Sequence, residues 1–166
     1  ADGRVLATGG SPTDNDATNA SYTAAVWDPN AGSNGQWTVP PNPASPPVSP
    51  QDPYAYRYRL YHSTAMLLPD ASVLVAGGGA PGPRPNLNAE IYYPSYLYNS
   101  SGGFAARPTI VTAPDTLDQG VDFSMNVGTA DIRRLTLIKT GSVTHSVNMD
   151  QRFIELLIDD PEALAR

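Results

Sequence analysis

The chain has 166 residues, 40% of them hydrophobic, with 10 Lys and Arg against 16 Asp and Glu for a net charge of −6. That is enough chain for one ordinary domain or two small ones. No basic stripe is present to neutralise phosphates, which argues against nucleic acid. No apolar run approaches the roughly 18 residues of a membrane-crossing helix. With no cysteine, the chain can form no disulfide, thiolate metal site or cysteine nucleophile of its own.

Fourteen glycines and 17 prolines favour turns and short strands over long helices. ADGRVLATGG opens inside a strand motif, and PEALAR closes without a stop-like feature, so a piece of a longer protein is expected. An internal repeat follows. DGRVLATGG (2–10) resembles DASVLVAGGG (70–79), and each is followed by a second apolar run closed by proline, YTAAVWDP (22–29) and NAEIYYP (88–94). Two strand runs joined through a glycine pair suit a four-stranded antiparallel blade, in which Gly9–Gly10 and Gly77–Gly78 let backbones approach. A blade cannot stand alone, so the repeat implies a propeller.

Between the repeats, VPPNPASPPVSPQDP (39–53) has seven prolines in fifteen residues and reads as a semi-rigid surface insertion. Tyr54, Tyr56 and Tyr58 alternate as an edge strand leading to Arg59. A second tyrosine cluster, Tyr92, Tyr93, Tyr96 and Tyr98, reads as packing blade against blade or blade against sandwich, with carbohydrate stacking as the alternative. From Arg107 the texture changes. VDFSMNV (121–127) alternates, and RRLTLIKTGSVTHSVN and QRFIELLIDD follow as further strands divided by turns. These suggest a β-sandwich, truncated because a complete one takes about 90–100 residues. The expected organisation is all-β. Propeller blades span 1–106, and an immunoglobulin-like sandwich spans 107–166, both incomplete.

The chain has two histidines. His62 follows Tyr61 in RLYHSTAMLLPD (59–70), at the mouth of a predicted strand, and His145 lies in TGSVTHSVNMDQRF (140–153). A lone histidine in a β-protein is more often a hydrogen-bonded structural residue than a ligand, so the flanking motifs must carry the case.

Those motifs do. RLYHSTAMLLPDASVLVAGGG, NLNAEIYYPSYLYNSSGGFAARPTI and LIKTGSVTHSVNMDQRFIEL occur in order over most of residues 59–158. Together they resemble the copper-radical oxidases, the galactose oxidase and glyoxal oxidase family. Residues 1–58 match more loosely, as a kelch-type blade. The resemblance implies a kelch propeller followed by an immunoglobulin-like domain, one loop of which carries a histidine to the propeller axis. It implies copper held by two tyrosines and two histidines, with Tyr61 as the axial ligand and catalytic proton acceptor, His62 equatorial, and His145 delivered by the C-terminal domain. Imidazole and oxygen donors suit Cu(II). Asp150, Gln151 and Arg152 are expected to brace the loop of His145, as groups behind metal ligands do.

The resemblance further implies a secreted enzyme that oxidises a primary alcohol or aldehyde and returns O2 as hydrogen peroxide. Its partners are that small-molecule substrate and O2, with carbohydrate as a further ligand. The family's tyrosine–cysteine radical cofactor cannot form in a chain without cysteine. It is expected only upstream, which leaves the isolated chain inactive. The loop SPTDNDATNAS (11–21) has no aromatic residue before Tyr22, which favours a small aldehyde or simple alcohol over galactose. The rival reading is a non-catalytic propeller and sandwich module that binds glycan or protein.

Overall fold

The computed structural model describes residues 2–43, 55, 57–144 and 147–158. The elements are β1 (Val5–Thr8), β2 (Ala24–Asp28), β3 (Gln36–Thr38), β4 (Ser63–Leu67), β5 (Val73–Gly77), β6 (Ala89–Tyr92), a 3-10 turn (Ser95–Leu97), β7 (Leu135–Lys139), β8 (Val143–Thr144), β9 (Val147–Asn148) and β10 (Arg152–Leu156). The protein is all-β. Among the described residues no helix is long and apolar enough to cross a membrane.

Each sequence repeat forms a three-stranded antiparallel sheet, in the orders β1-β2-β3 and β4-β5-β6. Three strands form per repeat among the described residues, where the pattern led to four. The two sheets are out of phase. β1 and β5 occupy equivalent places in the repeat, as do β2 and β6, yet β4 precedes β5 in the second sheet while β3 closes the first. Cross-strand pairs set the register. Trp27 lies opposite Trp37 in the first sheet, and Ala65 opposite Val75 in the second. The β4–β5 turn is closed by Leu68 N–H donating to Ser72 O at 2.8 Å and Ala71 N–H donating to Leu68 O at 2.9 Å. The Tyr96 hydroxyl donates to Ala71 O at 2.7 Å, which ties the chain after β6 back onto that turn.

The chain divides into two compact units, Ala1–Leu97 with Ile138–Phe153, and Tyr98–Leu137 with Ile154–Arg166. The buried core of the first unit is built on β5 and the segment before β4: Val73, Val75, Leu60, Ala20 and Leu97, with Arg59, Ser72 and Asn86 as buried polar residues. The β8–β9 hairpin packs against β4. A cavity of about 580 Å³ in this unit is lined by Val5 and Ala7 of β1, Ser63 and Ala65 of β4, and Val143 and Asn148 of the hairpin. Neither Tyr61 nor His62 lines it.

In the second unit the expected strand at 121–127 does not form. Its only ladder contact is the isolated Thr112–Asn126 bridge, and Val121 is 63% exposed. Alternation supplies one apolar face, but a strand also needs a partner backbone. Tyr98 and Phe104 stack with ring centroids 5.1 Å apart in this unit, joined by their own bridge. Of the expected tyrosine edge strand, Tyr54 and Tyr56 lie outside the described residues. Tyr58 belongs to no strand and meets the Tyr22 ring edge-on at 6.1 Å. Residues 44–53 of the proline-rich insertion also lie outside the described residues.

The glycines of the repeat are contact points. Gly9 has φ +71°, and a Cβ there would overlap the Arg59 carbonyl and come 2.6 Å from Arg59 Cβ. Gly32 has a similar φ of +67° with open space around it. Gly32→Ala is expected to cost about 1–2 kcal/mol, the price of a left-handed alanine. Gly9→Ala is expected to cost more, because backbone must also move. Urea midpoints of the two variants check the order.

Candidate metal centre

Leu60 O accepts from Ser63 N–H at 3.0 Å, which closes a β-turn with Tyr61 and His62 at its central positions. His62 has φ +66°. That is the second central position of a type II turn, normally taken by glycine or asparagine. A left-handed side chain costs about 1–2 kcal/mol. In an extended strand neighbouring side chains point to opposite faces. Here the turn brings them together, with the Tyr61 and His62 ring centroids 3.8 Å apart and the planes 34° from parallel. Both side chains are exposed, Tyr61 by 46%.

Backbone groups on both sides of the turn are held. Arg59 O accepts from Gly10 N–H at 2.7 Å, and Tyr61 O accepts from Gly79 N–H at 2.8 Å. Tyr61 N–H donates to Asn15 Oδ1 at 3.3 Å, and Asn15 Nδ2 donates onward to Gly82 O. Asn86 Nδ2 donates to Tyr58 O at 2.9 Å, and Asn86 N–H donates to Gly78 O at 2.9 Å. A Cβ on Gly78 would lie 2.9 Å from Leu60 O and from Ser63 Cβ. The glycine clusters of both repeats thus converge on one six-residue stretch.

His145 lies outside the described residues. Its flanking strands are described: Val143 pairs with Asn148 and Thr144 with Val147. Met149 N–H donates to Ser142 O at 3.0 Å and extends the ladder. Of the three residues expected to brace the loop of His145, Asp150 and Gln151 bond to other side chains near the foot of the hairpin. Asp150 pairs with Lys139 at 2.8 Å, and Gln151 Oε1 accepts from Asn148 Nδ2 at 3.2 Å. Arg152 donates to the carbonyl of its neighbour Gln151 at 3.0 Å. The Lys139 hydrogen bond, and after it the charge of Lys139, holds the Asp150 carboxyl below its ordinary value of 3.8.

Residues 107–164 match the family described as galactose oxidase-like, Early set domain. A galactose oxidase of Gibberella zeae is 42% identical over 103 residues, covering 60% of this chain and 15% of the relative. An aldehyde oxidase (GLOX) of Vitis pseudoreticulata is 31% identical over 112 residues, covering 60% of this chain and 21% of the relative. The C-terminal part of the chain is thus similar to galactose oxidase-like proteins. The chain spans about one fifth or less of the length of these curated relatives.

In the first unit, a phenol and an imidazole stand side by side on a fixed turn, a donor set that suits copper. Among the described residues no group of three or more His, Cys, Asp and Glu side chains converges. Three supporting residues escaped the sequence reading: Arg59, Asn15 and Asn86. The two asparagines stand in loops where they read as turn formers. Arg59 reads as a solvated strand-end charge, and nothing local announces that it is buried.

Two outcomes follow from this geometry. At position 62 glycine should be better tolerated than alanine: His62→Gly is expected to be more stable than His62→Ala by about 1 kcal/mol, because only alanine keeps the left-handed strain. Thermal unfolding of the two metal-free variants measures it. The Asp150 carboxyl should titrate below 3.8 by NMR and return to its ordinary value in Lys139→Met. Its folded-state pKa is depressed, so its contribution to stability is complete above the unfolded value and is lost as pH falls through the folded one.

Proposed function

We propose that the full-length protein is a secreted copper-radical oxidase that oxidises a primary alcohol or aldehyde and reduces O2 to hydrogen peroxide. In this reading Tyr61, His62 and His145 are its C-terminal copper ligands. The observation that carries the proposal is the left-handed His62, which sets its ring against Tyr61 in a turn that would fold more readily with glycine. Strain of this kind on a non-glycine residue collects at functional sites.

Bound copper would supply one redox centre for the two-electron oxidation. The tyrosine–cysteine cofactor is the other, supplied from outside residues 1–166, since no cysteine lies within them. His62 would hold the metal through an imidazole nitrogen, and His145, which follows β8 in sequence, would do the same. Tyr61 Oη accepts the substrate's hydroxyl proton as general base. Asn15 supports the choice of a small aldehyde or simple alcohol as substrate. Its bond to Tyr61 N–H brings the loop 11–21 beside the turn, and that loop carries no aromatic wall for a sugar to stack on. We also propose that the two sheets are kelch-type blades within residues 1–106 and that residues 107–166 form the immunoglobulin-like domain.

A second reading, a non-catalytic module binding glycan or protein, is favoured by the exposed Tyr98–Phe104 stack. Copper EPR on the full-length protein separates the two. The oxidase reading expects a tetragonal Cu(II) signal whose nitrogen hyperfine structure weakens in both His62→Ala and His145→Ala. Tyr61→Phe should keep copper and slow peroxide formation by about 100-fold or more. A copper signal indifferent to both histidines, with no peroxide from any alcohol or aldehyde, sinks the oxidase reading in favour of the binding module.

A further inference from the structure

We propose that Arg59 is the positioning residue of the Tyr61–His62 turn, holding His62 left-handed and its ring against Tyr61. Its copper consequence rests on the oxidase reading, while its conformational consequence stands without it.

The Arg59 side chain is 1% exposed, whereas those of Arg4, Arg133 and Arg134 are 32%, 83% and 41% exposed in their ion pairs. The guanidinium forks in two directions. NH1 donates to Gly77 O at 3.2 Å, Asn88 O at 3.2 Å and Asn88 Oδ1 at 2.9 Å, and NH2 pairs with Glu90. Gly77 is the last residue of β5, and Glu90 lies in β6. The main chain of the same residue reaches the other repeat, through Gly10 N–H on Arg59 O. One residue therefore ties the glycine turn of the first repeat to two strands of the second. Gly79, two residues past Gly77, in turn donates to Tyr61 O.

The geometry gives this tie its purpose. The turn at 60–63 is suspended between Arg59 at its entry and β4 at its exit. A left-handed histidine relaxes to the extended region unless both ends are fixed. β4 is fixed by pairing with β5, and the entry is fixed by the fork and by Gly10. Burial alone could be served by an apolar side chain. A planar fork sets direction as well as position, whereas the ammonium of lysine, a point charge on a flexible stem, imposes no fixed direction.

The test uses the full-length protein with carbon-13 labelled histidine rings, the His62 signal being assigned by its loss in His62→Gln. The adjacent, tilted Tyr61 ring displaces the His62 proton shifts. Arg59→Lys is expected to abolish that displacement. Val75→Ala, a core truncation in β5 at comparable loss of melting temperature, is expected to keep it. Glu90→Gln weakens one arm of the fork and should reduce the displacement part-way. Cu(II) titration should show about 10- to 100-fold weaker binding in Arg59→Lys, with a heterogeneous EPR signal that Val75→Ala does not share.

A displacement that persists in folded Arg59→Lys overturns the proposal, as does one lost equally in Val75→Ala. Should Arg59→Lys fail to fold, an unchanged His62 signal in Glu90→Gln overturns it instead. Copper binding indifferent to His62→Gln removes the metal reading alone, since the ring shifts still decide what Arg59 does.

Discussion

The contact on which the first unit depends is between two backbones. The carbonyl of Arg59 sits against the α-carbon of Gly9 and accepts the N–H of Gly10, while Gly78 lies against Leu60 from the other side. No side chain fits at either place without the backbone moving. With the approach that close, the turn at 60–63 must be tight, its carbonyls must find donors from the glycine stretches, and Tyr61 and His62 must emerge together. The paired rings, the buried guanidinium and the bridging asparagines are all consequences of how near the two repeats come.

Much of this was legible as pattern and little of it as contact. The two VLxxGG runs announced strands ending in glycine, and β1 and β5 form there. Tyrosine beside histidine before STAML reads as standing at a strand mouth, and β4 begins at Ser63. TGSVTHSVNMDQRF reads as a loop with polar residues behind it, and the structure adds the β8–β9 pairing with Asp150 on Lys139 and Gln151 on Asn148. Arg59 was illegible because its partners lie 18, 29 and 31 residues away. An arginine read alone is a surface residue, and only the fold reveals that carbonyls and a carboxylate await it. VDFSMNV misled for the converse reason. Its alternation is a local property, whereas a strand is a relation between two segments.

His62 is a point of disagreement between levels. Local preference at a left-handed turn position favours glycine or asparagine, and the surrounding bonds hold histidine there regardless. Sequences that fold well have local and global preferences in accord, and exceptions gather where chemistry is done. The conflict is small in energy and specific in direction. A residue that folding would replace stays in place with its ring against a phenol, at a turn where both repeats converge.

The first unit is not continuous in the chain: it takes residues Ile138–Phe153 after leaving out the whole of 98–137. A ribosome delivers sequence in order, at roughly 5–20 residues per second. The turn bearing Tyr61 and His62 therefore emerges several seconds before the β8–β9 hairpin that packs on β4. Through that interval β4 waits without its cover, and the apolar residues lining the adjoining cavity, Ala65 and Val5 among them, stand open to solvent and to other nascent chains. Order of synthesis thus makes the histidine-bearing hairpin the last piece to arrive, and a chaperone that shields the face of β4 would protect the unit during its most exposed moment.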